Sequence, residues 1–445
     1  MLTISNQIEI TKINSSIKDF ITESLTMMNP KWLENERMGR WNKGVPQKLH
    51  FYSKNNNAIY IPRGFLEELI YFCSENNFKV KIQDSTMIYK SINFKFSGQL
   101  RNYQIDATNE MLKYDVGVLC SPTGSGKTTM GIYILSQRKQ PTIILVHTKE
   151  LLYQWVDRIK ELLAIESGVI GDGKKNIKPV TIALVQTLRN NVKLIDRFSH
   201  LIIDECHHIP STTFSNINCK FKGKYITGLS ATPYRRDGLS KLIAWYGGPI
   251  RYEVRKAQLQ KEGHITYITP IIRNTKFKTA LEFPEHQYSK LLSEIALDVD
   301  RNAMIVADIK KAILSGEVCL ILSDRKSHCE QLHKIISIKD CTVLTGNTNS
   351  SDRKQIVSDI NSGKLKILIA TSQLIGEGFD CKNLSSLFLT MPIKYTGRIF
   401  QYIGRVLRPK DGKKIAYVYD YFDENIECLY GSYRSRMRAY KQLQK

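Results

Sequence analysis

The sequence lacks the features of exported, membrane-spanning and zinc-ribbon proteins. It has nine cysteines among 445 residues, an odd number, and no two of them form a C-x-x-C pair. This usage argues against a disulfide framework and a zinc ribbon, and it favours a reducing compartment. No apolar run approaches the roughly 18 residues of a membrane helix, and the N-terminus shows no signal-peptide core. We therefore expect a cytoplasmic protein with no membrane partner.

Acidic residues are scarce relative to basic ones. The chain has 65 Lys and Arg but 42 Asp and Glu, which gives a formal net charge of +23. Residues 1–97 account for +4 of this charge, so the remaining +19 lies in the larger part of the chain. A protein this basic commonly binds a polyanion, most often nucleic acid. A basic surface that serves only solubility is the alternative.

Hydrophobic patterning changes near residue 98. In residues 1–97, a strand–turn–helix pattern surrounds Pro62–Gly64 and an alternating stretch over 79–96 predicts a strand, so we expect a small α+β accessory domain. Over 98–255, continuous β-branched runs such as TIILVH alternate with helical stretches. Continuous strands of this kind predict a doubly wound parallel sheet with both faces covered.

The same alternation restarts after a polar, charged stretch that ends near residue 300. It predicts a second α/β domain, so that residues 256–430 contain a linker and this domain. Ligands of such sheets bind at the carboxyl ends of the strands. The last segment, 431–445, has five basic residues and no acidic one, and we expect a basic C-terminal tail.

A glycine-rich motif, SPTGSGKTT at 121–129, follows a predicted strand and precedes a predicted helix. Gly124 and Gly126 let the backbone curl so that its N–H groups and the helix dipole face an anion. Lys127 would bind the β- and γ-phosphates of a nucleotide, and the Thr128 hydroxyl would ligate Mg²⁺. The strict motif begins with glycine where this chain has Ser121. The alternative is a glycine-rich turn with a solvated lysine.

An acidic pair ends the predicted strand LIIDE. Asp204 is suited to hold Mg²⁺, and Glu205 to orient and deprotonate the attacking water. A solvated loop is the usual alternative for such a pair, but a phosphate loop in the same domain favours the catalytic interpretation. Cys206, His207 and His208 follow directly, and we favour a non-metal role because contiguous residues rarely give tetrahedral ligation.

Two arginines in the second domain, Arg405 and Arg408, lie three residues apart and therefore on one helix face. Opposite a γ-phosphate they would act as arginine fingers that stabilise charge in the transition state. A basic helix face is the common alternative for this spacing.

In their order, these motifs resemble the superfamily-two helicases of the DExH type. The resemblance covers residues 98–425 and rests on LRNYQ (100–104), SPTGSGKTT, DECH (204–207), SATP (230–233), ATSQLIGEGFD (370–380) and QYIGRVLRP (401–409). It implies two tandem RecA-like domains, after the small α+β N-terminal domain, and an ATP hydrolase that uses ATP and Mg²⁺.

The resemblance also implies roles for individual residues. Gln104 would read the adenine, and Gly124, Ser125, Gly126, Lys127, Thr128 and Thr129 would bind phosphate. Ser230 and Thr232 would couple hydrolysis to strand contact, and Gly376 and Asp380 would approach the nucleotide from the second domain. Contacts with nucleic acid would come from His147, Thr148, Lys149, Gln186, Thr187, Arg235, Arg236, Arg325, Thr345, Gly346 and Thr371. Turn, cap and solvated-loop roles are the alternatives for the coupling and strand-contact residues.

Within the superfamily, GLSATPYRRDG resembles the XPB-like and phage UvsW-like branch, in which an Arg-Asp pair follows the SAT motif. The composition suits a large tailed phage, which would place the protein in the host cytoplasm. This branch implies a monomeric DNA helicase that remodels forks or four-way junctions in recombination or repair, with a candidate DNA-binding domain at 1–97. An RNA helicase, the motor of a restriction system and an ATP-gated annealing clamp are the alternatives.

Overall fold

The chain forms two compact units in a computed structural model. The model describes residues 1–55, 58–209, 212–231, 238–263, 266–375, 381, 383–393, 399, 402–404 and 415–444. The first unit comprises Met1–Pro122 and Gly126–Val254, and the second comprises Arg255–Lys445 together with Thr123–Ser125. The N-terminal strands therefore belong to the same unit as the first parallel sheet.

The N-terminal part of the first unit is a small α+β structure. Its strands are β1 (Leu2–Ile4), β2 (Ile8–Thr11), β3 (Thr26–Met28), β4 (Lys48–His50), β5 (Ser53–Asn55), β6 (Ala58–Ile61) and β7 (Ile82–Asp84), and its helices are α1 (Ser15–Ser24), α2 (Pro30–Arg37) and α3 (Leu66–Glu75). Five strands form a mixed sheet in the order β5–β6–β2–β1–β7, and β3 pairs with β4. Ile8, Ile21 and Phe65 are fully buried in its core.

The segment 79–96 is not the long strand that its alternation predicts. Only β7 pairs in the sheet, and the chain then runs along the first RecA-like domain. Met87 forms a bridge with Gly223, Ile92 N donates to Lys139 O at 2.8 Å and Ser97 N donates to Leu162 O at 2.9 Å. Phe94 is buried and Ile92 and Phe96 are half-buried, whereas Ile82 and Ile88 are exposed, so the later part of the segment packs on the RecA-like domain instead of pairing as a strand.

The rest of the first unit is a RecA-like domain. Its strands are β8 (Val116–Cys120), β9 (Thr142–Val146), β10 (Gly168–Gly171), β11 (Lys174–Asn176), β12 (Val180–Leu184), β13 (His200–Asp204), β14 (Tyr225–Ser230) and β15 (Ile250–Glu253), and its helices are α4 (Asn102–Leu112), α5 (Lys127–Arg138), α6 (Lys149–Leu163), α7 (Val185–Leu188), α8 (Thr212–Asn218) and α9 (Ser240–Gly247). The order β11–β10–β12–β9–β13–β14–β8–β15 is parallel except at β10–β11. All residues of β9, β12 and β13 are buried, as a sheet covered on both faces requires.

The sheet order places three motifs side by side. Strands β13, β14 and β8 are consecutive neighbours, and Ser230 lies opposite Cys120 in the ladder. Because parallel strands end at the same edge, the glycine-rich loop, the DECH sequence and the SAT sequence all leave the sheet together.

The second unit contains a six-stranded parallel sheet. Its strands are β16 (Tyr267–Thr275), β17 (Cys319–Ser323), β18 (Cys341–Leu344), β19 (Ile367–Thr371), β20 (Ser386–Leu389) and β21 (Ile415–Asp423), and its helices are α10 (Lys256–Lys261), α11 (Tyr288–Leu297), α12 (Val299–Leu314), α13 (Lys326–Ile336), α14 (Ser350–Asn361) and α15 (Tyr430–Gln444). The strand order is β16–β21–β20–β17–β19–β18. The predicted fold class of two tandem RecA-like domains with a small N-terminal α+β domain is confirmed.

Strand β21 carries two buried carboxylates, and each has a basic partner. Asp420 accepts hydrogen bonds from Arg436 Nε at 2.7 Å and from Tyr440 Oη at 2.6 Å. Asp423 accepts from Arg301 Nε at 2.8 Å, and this second pair is fully buried. Helices α15 and α12 are thereby fixed to the carboxyl-terminal half of β21.

The C-terminal residues form a helix and not a frayed end. Arg436 and Tyr440 of α15 are buried, whereas Arg434 and Arg438 are exposed. The basic residues of the predicted C-terminal tail therefore have two different environments, because the helix repeat turns Arg436 towards β21 and turns Arg434 and Arg438 towards water.

Membrane-spanning helices and disulfides are absent from the described part of the chain. No helix there is both long and apolar enough to cross a bilayer. The nine cysteines are free thiols, and seven of them are buried. Burial raises the pKa of Cys120 and of Cys381 to about 12, so these thiols are protonated and unreactive at neutral pH.

Candidate nucleotide site and nucleic-acid interface

The glycine-rich loop has the backbone geometry that its sequence predicts. Gly124 and Gly126 have φ values of 87° and 83°, in the left-handed region that glycine adopts without strain. Gly126 is also the residue that precedes helix α5. A Cβ placed on Gly126 would lie 2.5 Å from Gln104 Nε2. Glycine is therefore required here for its backbone conformation and for the close approach of Gln104.

Gln104 lies beside the glycine-rich loop, and Arg101 and Tyr103 hold its side chain in place. Its Oε1 accepts a hydrogen bond from Arg101 N at 2.9 Å, and together they form a capping box at the start of α4. Its Nε2 lies 3.4 Å from Tyr103 Oη. The side chain is buried, so its amide has a fixed position next to the loop. Adenine recognition by Gln104 stays a prediction.

Lys127 and Glu205 face each other across the carboxyl edge of the sheet. Lys127 Nζ lies 3.9 Å from Glu205 Oε1 and donates to Ser121 O at 3.3 Å. Burial alone would raise the pKa of Glu205, but the ammonium of Lys127 and the imidazole of His207 outweigh it and lower the pKa to about 2. Glu205 is therefore a carboxylate at neutral pH, and it holds the lysine at the phosphate loop.

Asp204 is oriented by a buried tryptophan. Trp155 Nε1 donates to Asp204 Oδ2 at 2.8 Å, and Glu205 N donates to Asp204 Oδ1 at 3.0 Å. Trp155 is itself buried. With the Thr128 hydroxyl at the start of α5, the donor set fits a hard cation such as Mg²⁺.

A short polar chain joins the acidic pair to the SAT sequence. His207 Nδ1 lies 3.3 Å from Glu205 Oε2 and 3.2 Å from Ser230 Oγ. Glu205 itself has a left-handed backbone, with φ 48° and ψ 55°, which turns the chain sharply after β13. The sequence predicted only a non-metal role for His207, although its place directly after the acidic pair was a usable signal for a specific one.

The predicted strand-contact residues of the first unit lie at the ends of β9 and β12. The ring of His147 packs on that of His208 with centroids 4.3 Å apart. Thr148 caps α6 by accepting from Leu151 N at 3.2 Å, and Lys149 pairs with Asp172. Gln186 and Thr187, in α7, are exposed and half-buried respectively. The sheet therefore brings His147–Lys149 and Gln186–Thr187 to one edge, since β9 and β12 are neighbours.

The predicted strand-contact residues of the second unit also lie at the carboxyl ends of neighbouring strands. Arg325, Thr345 and Thr371 lie at or just after the carboxyl ends of β17, β18 and β19, which are adjacent in the sheet. Arg325 donates to Ser289 O at 2.5 Å. Thr345 is buried, and Gly346, which follows it, is exposed. These positions share one edge of the second sheet, and their contact with nucleic acid stays a prediction.

Seven predicted site residues lie outside the described residues, so their geometry is not given: Thr232, Arg235, Arg236, Gly376, Asp380, Arg405 and Arg408.

The fold, together with the glycine-rich loop and acidic pair at the carboxyl edge of the first sheet, defines a RecA-like nucleotide-hydrolysing motor. Comparison with known families agrees. Residues 97–235 match the family described as "Type III restriction enzyme, res subunit", and residues 304–410 match the "Helicase conserved C-terminal domain". Together the two matches span more than half of the chain. The chain belongs to the superfamily-two helicases, of the XPB-like type, and is an ATP-hydrolysing helicase enzyme.

Individual relatives support this assignment. The "DNA 3'-5' translocase XPB2" of Sulfurisphaera tokodaii is 29% identical over 70% of this chain and 79% of its own. A protein of Acanthamoeba polyphaga mimivirus, named provisionally as an ATP-dependent RNA helicase, is 27% identical over 92% of this chain and 77% of its own. A variant of S. cerevisiae Dbp5, solved with RNA and ADP BeF3, superposes with a TM-score of 0.54 at 15% identity, covers 77% of this chain and 93% of its own, and supports the fold alone.

Proposed function

We propose that this protein is an ATP-driven DNA translocase that remodels forked or branched DNA. The observation that carries the proposal is the Lys127–Glu205 pair at the end of the glycine-rich loop, 3.9 Å apart, in a chain with a net charge of +23. The XPB2 relative, named a DNA translocase, supports DNA as the track. A remodeller of branched DNA needs little net base-pair energy, because pairs broken on one side re-form on the other.

In the proposed hydrolysis Lys127 acts first and Glu205 acts second. When Lys127 turns to the β- and γ-phosphates of ATP, Glu205 loses its nearest cation. The pKa of Glu205 then rises from its low value, and the carboxylate becomes a stronger base for the attacking water when the substrate is present. Thr128 and Asp204 would hold Mg²⁺, which would neutralise phosphate charge.

The second domain completes the proposed cycle. Arg405 and Arg408 would act on the transition state as arginine fingers, and Ser230, through His207, would connect the hydrolytic carboxylate to the residues that contact the strand. Backbone-phosphate contacts from both domains would grip in alternation, which moves the protein along a strand without reading its sequence.

RNA is the second candidate track. The mimivirus relative matches 92% of this chain and is named provisionally for RNA. A restriction motor or an annealing clamp would share the nucleotide site and would differ in the nucleic acid that stimulates it.

ATP turnover on matched substrates tests the proposal. Single-stranded DNA, linear duplex, a fork, a four-way junction and a structured RNA are compared at one salt concentration. We expect the fork or the junction to stimulate turnover most. Strongest stimulation by RNA would overturn the DNA assignment and leave the motor intact.

Two variants control the comparison. Lys127→Ala removes the phosphate-binding ammonium and should abolish turnover on every substrate. Lys113→Ala removes an exposed lysine that pairs with the nearby Glu110 and should leave turnover unchanged. Normal ATP turnover by Lys127→Ala would contradict the assignment of Lys127 to phosphate binding.

A further inference from the structure

The segment that joins β3 to β4, residues 29–48, exposes a tryptophan in the N-terminal part of the chain. Trp41 is 80% exposed, whereas Trp155 and Trp245 are buried. Met38, three residues earlier, is 52% exposed. Burial of an aromatic side chain is favourable, and Trp41 forgoes this gain in the isolated chain. A partner surface would recover it.

Hydrogen bonds of three asparagines order the backbone around Trp41. Asn29 Nδ2 donates to Pro46 O at 2.8 Å. Asn35 Nδ2 donates to Asn42 Oδ1 at 3.0 Å, and Asn42 Nδ2 donates to Trp32 O at 3.3 Å. The loop is thus tied to α2 on one side and to the start of β4 on the other. Trp41 is presented by an ordered loop, which lowers the entropic cost of a contact made there.

The surroundings of Trp41 are basic. Arg37, Arg40, Lys43 and Lys48 are all exposed, and no ion pair in the described part of the chain includes any of them. Lys43 Nζ lies 5.1 Å from the centre of the Trp41 ring. Residues 29–48 hold five basic residues and two acidic ones, Glu34 and Glu36, so the segment is net basic. An exposed aromatic among basic residues is the combination by which proteins hold single-stranded nucleic acid, because bases stack on the ring and phosphates bind the cations.

The position of the segment in the first unit agrees with this chemistry. A Cβ built on Gly238 would lie 3.9 Å from Pro30 Cγ, at the start of α2. Gly238 follows, in sequence, the Arg235–Arg236 pair that is predicted to contact nucleic acid. The start of α2 therefore lies next to Gly238, two positions after Arg236 in the sequence.

We propose that residues 29–48 form a single-strand contact in which the Trp41 indole stacks on an unpaired base while Arg37 and Arg40 bind the flanking phosphates. This inference rests on the proposed function and adds a specific contact to it. The favoured ligand is the unpaired arm of a fork, since a base inside a duplex does not offer its face to an exposed ring.

Binding of a fluorescein-labelled oligothymidylate of about 20 nucleotides, a length that spans such sites, tests the contact by fluorescence anisotropy. We expect Trp41→Ala to weaken binding by about tenfold, the loss that corresponds to one stacked base, and Trp41→Phe to keep most of the affinity. Tyr71→Ala is the matched control, because Tyr71 is an aromatic of the same domain with 68% exposure, and it should bind like the wild type.

Tryptophan fluorescence adds an independent readout. Stacking quenches indole emission, so the wild type should lose emission when the oligonucleotide is added. Trp41→Phe should bind with less quenching than the wild type, because Trp155 and Trp245 are buried and cannot stack on a base, and only the half-buried Trp32 could still respond. Quenching of equal size in the wild type and in Trp41→Phe would overturn the stacking assignment.

Salt dependence tests the phosphate contacts. Arg37→Ala and Arg40→Ala should each reduce the slope of log affinity against log salt by about 0.7, the value for one phosphate of a single strand. Unchanged slopes in both variants would remove these residues from the contact.

The outcome separates this inference from the function on which it rests. If the wild type binds the oligonucleotide and nucleic acid stimulates its ATPase, but Trp41→Ala and Tyr71→Ala bind equally well, the Trp41 contact is wrong and the proposed function stands. If no nucleic acid binds or stimulates the wild type, the proposed function itself fails. Self-association of the wild type that Trp41→Ala abolishes, without any change in oligonucleotide binding, would assign Trp41 to an interface between copies of the chain.

Discussion

At the residue scale, Glu205 combines a depressed pKa with a position beside Lys127. We expect Glu205→Gln to lower the rate of ATP turnover by about 10²–10⁴-fold, the usual contribution of a general base, because the amide accepts no proton from water. ATP affinity should be kept or increased, since Lys127 loses the carboxylate that competes with phosphate. Steady-state ATPase rates and the binding of a fluorescent ATP analogue measure the two effects.

The control for this variant is Glu161→Gln, at an exposed carboxylate paired with Arg158. It changes the same chemical group away from the nucleotide site and should leave both quantities unchanged. Turnover of Glu205→Gln near the wild-type rate would mean that another group orients the water.

Two buried histidines predict how stability depends on pH. Burial, with a smaller effect of a nearby arginine, lowers the pKa of His200 and of His328 to about 3. Their rings bond neutral partners, for example Thr227 at 3.0 Å and Asn302 at 2.9 Å. Below the unfolded pKa of 6.5 the unfolded chain takes up protons that the folded chain refuses. The free energy of unfolding therefore falls as pH decreases from 6.5 towards 3, by about 2 kcal/mol per histidine at pH 5.

Urea unfolding at pH 8, 6.5 and 5 measures this loss. The variant His328→Gln keeps hydrogen-bonding groups but cannot be protonated in this range, so the transition of the second unit should become less sensitive to pH. An identical pH dependence in the variant and the wild type would contradict the low pKa of His328.

Individual residues also show what the sequence could and could not predict at the site. The placement of Lys127, Asp204 and Glu205 at one edge of the sheet was predictable because their motifs are local and adjoin recognisable strands, and their catalytic roles stay predictions. The bond from Trp155 to Asp204 was not, since the residues are 49 positions apart and periodicity assigns Trp155 only to a buried face. Contacts that depend on how a helix packs on a sheet have no local signal.

At the scale of elements, α15 depends on one buried ion pair. Arg436 and Asp420 are almost completely buried, and Tyr440 bonds the same carboxylate. We expect Arg436→Met to lower the free energy of unfolding of the second unit by about 3–5 kcal/mol, because it leaves Asp420 buried without a cation. Chemical denaturation followed by circular dichroism measures the change.

Arg434 and Arg438 provide controls within the same helix. Both are exposed, and their replacement by alanine should change the free energy of unfolding by less than about 0.5 kcal/mol. Equal destabilisation by all three variants would mean that the helix needs its total charge and not the pair with Asp420.

The strands of the parallel sheets were more predictable than the connections between them. β8 and β18 have the bounds that their apolar runs indicate, because strands covered on both faces have continuous apolar sequences. β16 was missed, since its exposed polar residues lie within a charged stretch and its pairing with β21 is visible only in three dimensions. The alternation over 79–96 led to a predicted strand that is largely absent. An extended segment that packs on another domain has the same two-residue period as a strand, so the pattern does not distinguish them.

At the scale of the whole molecule, the first unit joins two structures that the sequence divides at residue 98. Arg63 lies between them, and donates from Nη1 to Gly223 O and from Nη2 to Lys224 O, each at 2.6 Å. The next residue, Gly64, packs against the backbone of α9, since a Cβ there would lie 2.0 Å from Ala244 O. Leu242 and Trp245 of α9 belong to the apolar core of the N-terminal part. The junction therefore has the density of a domain core.

The charge of Arg63 persists in this junction. Burial lowers its pKa to about 10, against the opposing effect of Asp84 and Asp115, so the guanidinium is protonated at neutral pH. We expect Arg63→Met, which keeps much of the apolar volume, to lower the free energy of unfolding of the first unit by about 2–4 kcal/mol, because two carbonyls lose charged donors. Limited proteolysis should then cut between the N-terminal part and the RecA-like domain sooner than in the wild type.

The control is Lys81→Ala, an exposed lysine of the same N-terminal part, which should change neither stability nor proteolysis. If Arg63→Met were as stable and as resistant to protease as the wild type, the apolar contacts of Leu242 and Trp245 would be enough to hold the two structures together. If it were destabilised as expected, the N-terminal part would be shown to depend on the RecA-like domain for its own stability. Any nucleic acid bound by Trp41 would then act on a surface that is continuous with the motor, and ATP turnover in Arg63→Met would lose its response to single strands while its basal rate persisted.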